Sequence, residues 1–309
     1  MSVYTDIARL PDFRNAVLTI GTFDGVHEGH RVILGEVIRH ARREDGESVL
    51  ITFEPHPRKL LFPGSPLQLL TPLDQKLELI SAAGIRHIVV APFTLDFAAL
   101  SAREYISTFL AGRFHPRSIV IGYDHHFGHD RTGNIRLLEA MQDEFGYRVY
   151  EIPAHLIDQA AVSSTKIRNA LKAGRAEEAN HMLGRPYSIR GTVCRGAQLG
   201  RQIGFPTANI RPAHPDQLIP ATGVYAVRIK SRDTWYRGML NIGYNPTVSE
   251  EHVLRIEVNI FDFSGEIYDE EVELGLIARL RDEVKFDSLG ALKEQLQRDR
   301  IHALSIPSF

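Results

Sequence analysis

The residues Gly21-Thr22-Phe23-Asp24-Gly25-Val26-His27-Glu28-Gly29-His30 join an apolar run to an amphipathic stretch, in which Leu34, Val37, Ile38 and Ala41 recur at helical spacing. A strand, a glycine-rich turn and a helix N-terminus aim free backbone N–H groups and the helix dipole at one spot, which makes an anion site. His27 and His30 are three positions apart, so on a helix they share a face and can converge on one ligand. Phosphate chemistry suits this placement, with Gly29 leaving the backbone open to close approach and Gly21, Phe23 and Asp24 completing the loop. Surface histidines on a plain turn are the bland alternative. A zinc-protease reading fails, because that motif needs histidines at i and i+4 with a glutamate beside the first.

Further strings carry chemistry. In Ser163-Ser164-Thr165-Lys166-Ile167-Arg168 the hydroxyls can cap a helix. Together with free N–H groups, Lys166 and the forked Arg168, they also form an anion cradle. His125, His126 and His129 crowd one loop with Asp124, but no nearby partner completes a metal-ligand pattern, so a substrate-lining loop ranks higher. Gly196, Gly200 and Gly204 lead into Phe205-Pro206-Thr207-Ala208-Asn209. That spacing matches neither the dinucleotide fingerprint nor a P-loop, and reads as a mobile glycine-rich loop followed by a proline-fixed turn. Glu257 stands opposite in phase to Ile256, Val258 and Ile260, as an outward-facing strand carboxylate would.

The elements that must hold these groups change character part-way along the chain. Up to about residue 183, apolar runs at Ala16–Gly21, Ser48–Phe53, His87–Ala91, Ser118–Gly122 and Arg148–Ile152 alternate with helical stretches near 31–43, 74–83, 101–111, 134–145 and 164–173. Strands apolar throughout and separated by helices predict a doubly wound, Rossmann-like α/β domain built on a parallel sheet. Beyond residue 184, Ser188–Cys194, Gly223–Lys230, Trp235–Ile242, Leu254–Phe263 and Glu266–Leu274 alternate in period two. They predict a small antiparallel β-barrel with one wet face, and Ser264-Gly265 as a hairpin turn. A C-terminal helix over Ser288–Ala303 carries Leu289, Leu292 and Leu296 on one stripe, with Ser288 as its cap. The expected domains are 1–183 and 184–309.

Composition bounds the rest. The 309 residues are 43% hydrophobic and 24% charged, with a net charge of −2, which gives no support for a nucleic-acid-binding surface. Cys194 is the only cysteine, too few for a disulfide or a zinc cluster. Neither a signal peptide nor a run of ~20 apolar residues is present, so a cytoplasmic protein with no membrane partner is expected, a monomer or weak homo-oligomer.

The opening string resembles the signature of the HxGH nucleotidyltransferases, and Ser163–Arg168 resembles the second signature of their FAD synthetase branch. Gly204-Phe205-Pro206-Thr207-Ala208-Asn209 resembles the hallmark of riboflavin kinases, as do Gly223-Val224-Tyr225-Ala226, Asn241–Thr247, Arg255–Ile260 and Leu280–Phe286. In this order they cover nearly the whole chain and resemble the bacterial bifunctional riboflavin kinase/FAD synthetase family. The resemblance implies ATP-dependent phosphorylation of riboflavin to FMN, then adenylylation of FMN to FAD with loss of pyrophosphate. It implies Glu257 as general base, Thr207 and Asn209 on Mg²⁺, and Asp124 and Arg281 toward the flavin. His27, His30 and Arg168 would stabilise the departing pyrophosphate, with Gly21, Phe23, Asp24, Gly29, Ser164 and Thr165 around the nucleotide. The chain departs from the family pattern at His125-His126, where Phe-Arg is usual, at Asn259 for a histidine, and at Tyr268-Asp269 for Tyr-Gly. Two rivals remain at this point: a nucleotidyltransferase for another acceptor, and a flavin-binding sensor without catalysis.

Overall fold

The computed structural model describes residues 1–64, 66–153, 162–196, 199–244 and 254–307. Ala197, Gln198 and Asn245-Pro246-Thr247, parts of the strings above, lie outside the described residues. The chain forms two compact units, Met1–Ser164 and Thr165–Phe309.

In the first unit, β1 (Ser2–Tyr4), β2 (Val17–Ile20), β3 (Ser48–Glu54), β4 (His87–Pro92), β5 (Ser118–Gly122) and β6 (Arg148–Ile152) form one sheet in the order β1-β4-β3-β2-β5-β6. Every pairing in it is parallel. Alternate residues of each strand enter different cores. Leu18, Ile20, Val49, Ile51 and Ile119 pack with Tyr105, Phe109 and Leu138. Val17, Leu50, Ile88 and Val120 pack with Leu34, Val37, Ala41 and Ile80. Both faces of the four inner strands are therefore covered, which is why β2 to β5 read as unbroken apolar runs, whereas the edge strand β6 keeps Arg148 and Glu151 exposed. The chain order reverses at β2, whose neighbours are β3 and β5, and such a switch point opens a crevice at the carboxyl ends of the strands. Gly21–His30 and Tyr123–Gly133 both leave the sheet there. The first helix, Glu28–Arg43, starts three residues earlier than the expected stretch 31–43. Strand β1 and the short helices Pro57–Leu61 and Leu95–Ala98 are additions that their length hides from periodicity.

The strands of the second unit are β7 (Tyr187–Cys194), β8 (Ala208–Pro212), β9 (Gly223–Ser231), β10 (Thr234–Tyr244), β11 (Leu254–Ile260) and β12 (Glu271–Arg281). They form a closed barrel in the order β10-β11-β8-β7-β12-β9, every described pairing antiparallel. The expected hairpin at Ser264-Gly265 is not formed, since β11 pairs with β10 and β8 while β12 pairs with β7 and β9. The turn before β12 is Tyr268-Asp269 instead, closed by Glu270 N–H on the Ile267 carbonyl at 3.2 Å. Asp269 adopts φ +63°, which glycine takes most easily and aspartate tolerates. Strand β8 lies where the sequence reads as a turn, because five residues ending in Pro212 are too few to show an alternation.

Two of this unit's helices pack on the barrel, and of these only Ala176–Leu183 lacks an expectation from the sequence. In Ala176–Leu183, Asn180 is fully buried and donates to the carbonyls of Leu276 (2.8 Å) and Ile277 (3.1 Å), tying the helix to β12. The C-terminal helix Leu289–Ser305 is capped by Ser288, whose Oγ accepts from Ala291 N–H at 3.2 Å. Its inner stripe runs from the half-buried Leu292 and Leu296 to the buried Asp299 and Ala303; Leu289 is 66% exposed and does not join it.

Candidate active sites

In the first unit the loop after β2 is unusually constrained. Phe23 (φ +48°), Gly25 (φ +92°) and Val26 (φ +40°) are all left-handed, which for a β-branched valine is a costly conformation that surrounding contacts must impose. The Asp24 carboxylate, buried, accepts the backbone N–H groups of Leu70 (3.0 Å) and Thr71 (3.0 Å). Its carbonyl accepts the Ser164 hydroxyl at 2.8 Å. Phe23 turns inward and lies 5.0 Å from the His30 ring; a Cβ on Gly21 would come within 3.2 Å of the Phe23 ring, so that glycine makes room for it.

His27 is the N-cap of Glu28–Arg43, not its first turn: its Nδ1 accepts the His30 N–H at 3.3 Å. An accepting Nδ1 leaves Nε2 as the hydrogen-bearing nitrogen of the neutral ring. The two imidazoles stack at 3.6 Å with planes 14° apart. Capping and stacking, and not a shared helix face, bring the pair together beside the helix N-terminus. Gly29, between them in sequence, is buried. Ser164 opens the helix Ser164–Lys172, which carries Thr165 and Arg168.

The loop after β5 is closed at its base by mutual backbone bonds between Phe127 and Gly133, at 3.1 and 2.9 Å. Asp124 is exposed, and its carbonyl lies 2.8 Å from His126 Nδ1. Loss of solvent pushes the His125 imidazole down to about 4, so it is neutral at physiological pH. Among the described residues no group of three or more His, Cys, Asp or Glu side chains could hold a metal ion, so the three histidines of this loop form no such cluster.

In the barrel the ladder brings the polar residues together. Glu257 on β11 is directly opposite Asn209 on β8 and Asn241 on β10, and Asn209 is directly opposite Cys194 on β7. Directly opposed residues share a face, so Asn209, Glu257 and Asn241 form one row on the side away from Ile210, Ile256 and Ile242. The Glu257 side chain is 30% exposed, with Arg255 at 4.0 Å. Gly196 makes room for Asn209, since a Cβ there would sit 2.1 Å from the amide nitrogen. Asn259 donates to the Pro206 carbonyl at 2.7 Å and so fixes the residue before Thr207, which is exposed. Arg281 is forked onto Asp299 of the C-terminal helix (2.8 to 3.0 Å), with its ring neighbour Phe286 at 5.7 Å.

Sequence reasoning gave no individual role to Lys76, Asn241, Gly243 or Glu283, although the last three lie in family-like strings. Lys76 lies buried against the carbonyl of Thr22; a lysine inside a helical pattern carries no signal of its own. Asn241 shares the row of Glu257 and donates to Glu283 at 3.4 Å, and Gly243 leaves space for that carboxylate. Only the ladder register reveals this grouping.

A family model for FAD synthetase matches residues 10–166, and one for riboflavin kinase matches residues 183–306. The bifunctional riboflavin kinase/FMN adenylyltransferase of Listeria monocytogenes is 37% identical over 286 residues, covering 92% of this chain and 90% of that protein. The chain belongs to that family. The Bacillus subtilis member is 35% identical over 94% of this chain and 92% of its own. A solved Streptococcus pneumoniae structure, described as a macrolide-efflux protein, superimposes with a TM-score of 0.90 at 30% identity, covering 99% of both chains. Among the described residues no helix is long and apolar enough to cross a membrane.

Within this family frame the departures gain physical content. Asn259 supplies a strand-to-loop hydrogen bond, and Asp269 occupies a left-handed turn position that glycine adopts most easily.

Proposed function

We propose that this chain makes FAD in two steps, one in each half. In the barrel, Glu257 accepts the proton of the terminal ribityl hydroxyl of riboflavin as that oxygen attacks the γ-phosphate of ATP, giving FMN and ADP. Thr207 and Asn209 are the residues that would hold Mg²⁺. A hydroxyl and an amide carbonyl are hard oxygen donors, few enough for a cation that keeps waters and takes phosphate oxygens. Mg²⁺ when bound supplies charge neutralisation on the transferring phosphoryl group.

In the sheet domain the phosphate of FMN attacks the α-phosphate of a second ATP, and pyrophosphate leaves. His27 and His30 offer ring N–H donors beside a helix N-terminus, where negative charge develops during the displacement. The family resemblance gives Arg168, Ser164 and Thr165 the role of phosphate contacts, and Gly21, Phe23, Asp24 and Gly29 that of nucleotide-binding residues. Asp124 and Arg281 face the flavin in their respective sites, Arg281 while held by Asp299. We place the functional division between residues 183 and 184, and infer a cytoplasmic monomer or weak homo-oligomer.

The observation that carries this reading is the in-register pairing of Glu257 with Asn209, which sets a candidate base beside a candidate metal ligand on one barrel face. The test is incubation of the purified chain with riboflavin, Mg²⁺ and ATP, followed by chromatographic separation of the flavins over time. FMN appears first and FAD follows. Accumulation of neither flavin refutes the proposal.

A further inference from the structure

We infer that Lys76 is a positioning residue for adenylyl transfer: its ammonium locks the loop after β2 onto β3 and thereby sets where His27 and His30 stand. The inference rests on the reading of Gly21–His30 as the adenylyl-transfer site.

Lys76 lies on the helix Leu73–Ala82 and is 5% exposed. Its Nζ donates to the Thr22 carbonyl at 3.2 Å and to the Thr52 hydroxyl at 3.1 Å; that hydroxyl in turn donates to the Thr22 carbonyl at 3.3 Å. The three groups close a buried triangle spanning the ends of β2 and β3. Two residues along, the Asp24 carboxylate holds the N–H groups of Leu70 and Thr71, which lead through Pro72 into the helix bearing Lys76. A single segment, 70–76, thus clasps the loop 22–24 at both ends.

That loop needs such a clasp. Phe23, Gly25 and Val26 are held left-handed, and backbone of this kind persists only where its surroundings over-determine it. Burial drives the ammonium toward deprotonation, opposed by the carboxylates of Asp24 and Glu54. An apolar side chain would fill the same space without a desolvation cost. What the charge adds is its hold on Thr22, five residues before the capping His27.

The test is Lys76→Met in the full chain, assayed for both steps. FMN adenylylation falls about 10²-fold in kcat, the cost of a small misplacement of reacting groups. KM for ATP stays within about twofold, and riboflavin phosphorylation by the same preparation is unchanged. Ile80→Val, from the same helix but without a bond to Thr22, lowers the thermal midpoint while keeping the adenylylation kcat. Thr52→Val loses part of the rate and Thr52→Ser keeps it. If Lys76→Met does not fold, this Thr52 pair decides the matter. A Lys76→Met kcat near wild type overturns the inference. So does an Ile80→Val loss as large for the same drop in midpoint, or equal rates in the two Thr52 variants. His30→Ala run in parallel separates the failures: intact FAD formation there refutes the site reading itself and not the role of Lys76.

Discussion

The two candidate sites are built by opposite means. In the first unit, chemistry sits on a loop forced into left-handed conformations and held by buried polar anchors, with Asp24 2% and His27 6% exposed. In the barrel, Asn209, Glu257 and Asn241 stand half-exposed on regular strands, and ladder register alone aligns them. The first arrangement stores strain that neighbours must resist; the second is unstrained but depends on every strand pairing being in phase. Loop sites should therefore fail when an anchor is lost, and ladder sites when a side chain is pushed out of its row.

Substitutions can break this contrast. His30→Ala should abolish FAD formation, by roughly 10³-fold or more for loss of a charge-stabilising donor in the stacked pair. FMN should still accumulate from riboflavin and ATP, and loss of both steps together would contradict two independent sites. Glu257→Ala should lower riboflavin phosphorylation ~10²–10⁴-fold, the range for a positioned general base, with supplied FMN adenylylated normally. A near-wild-type kinase rate in that variant removes Glu257 from the mechanism.

Gly196→Ala sharpens the comparison, because its Cβ would meet the Asn209 amide at 2.1 Å and push it from the row. Phosphorylation should fall about tenfold, consistent with a loss near 1.4 kcal/mol at the transition state. Gly35→Ala, with nothing within 4 Å of the added carbon, serves as the neutral control. Steady-state rates of both reactions decide it.

The smallest effect concerns His125. Its folded-state pKa is held near 4, below the ordinary 6.5, so the unfolded chain binds more protons between those values. Its contribution is present above pH 6.5 and lost as pH falls toward 4. His125→Phe should flatten the acid limb of stability over that window, read by denaturant unfolding at several pH values. His40 and His87, whose pKa values burial also lowers, keep part of the slope in the variant. An unchanged slope would show that His125 is not the proton-binding group.

Much of this was legible before the fold was seen. The four inner strands of the first unit appear as apolar runs because both sheet faces are buried there, and Leu34, Val37 and Ala41 mark the inner stripe of the first helix. Ser288 caps its helix by a local hydrogen bond that needs no distant partner. The candidate site residues stand out as strings, since their glycines, histidines and hydroxyls sit close together along the chain.

Other features depend on pairings between distant segments, and no local pattern encodes them. His27 meets His30 through a cap and a stacking contact, not through helical phase. Strand β8 exists because the barrel needs a partner between β7 and β11, and β12 begins at Glu271 because closure requires it beside β7 and β9. Lys76 becomes a brace only when its helix packs under the ends of β2 and β3. Local chemistry, with its period, caps and turn preferences, is written in neighbouring residues and can be read there. Register, closure and buried polar contacts are decided by which distant surfaces exclude water together, and that is a property of the folded chain.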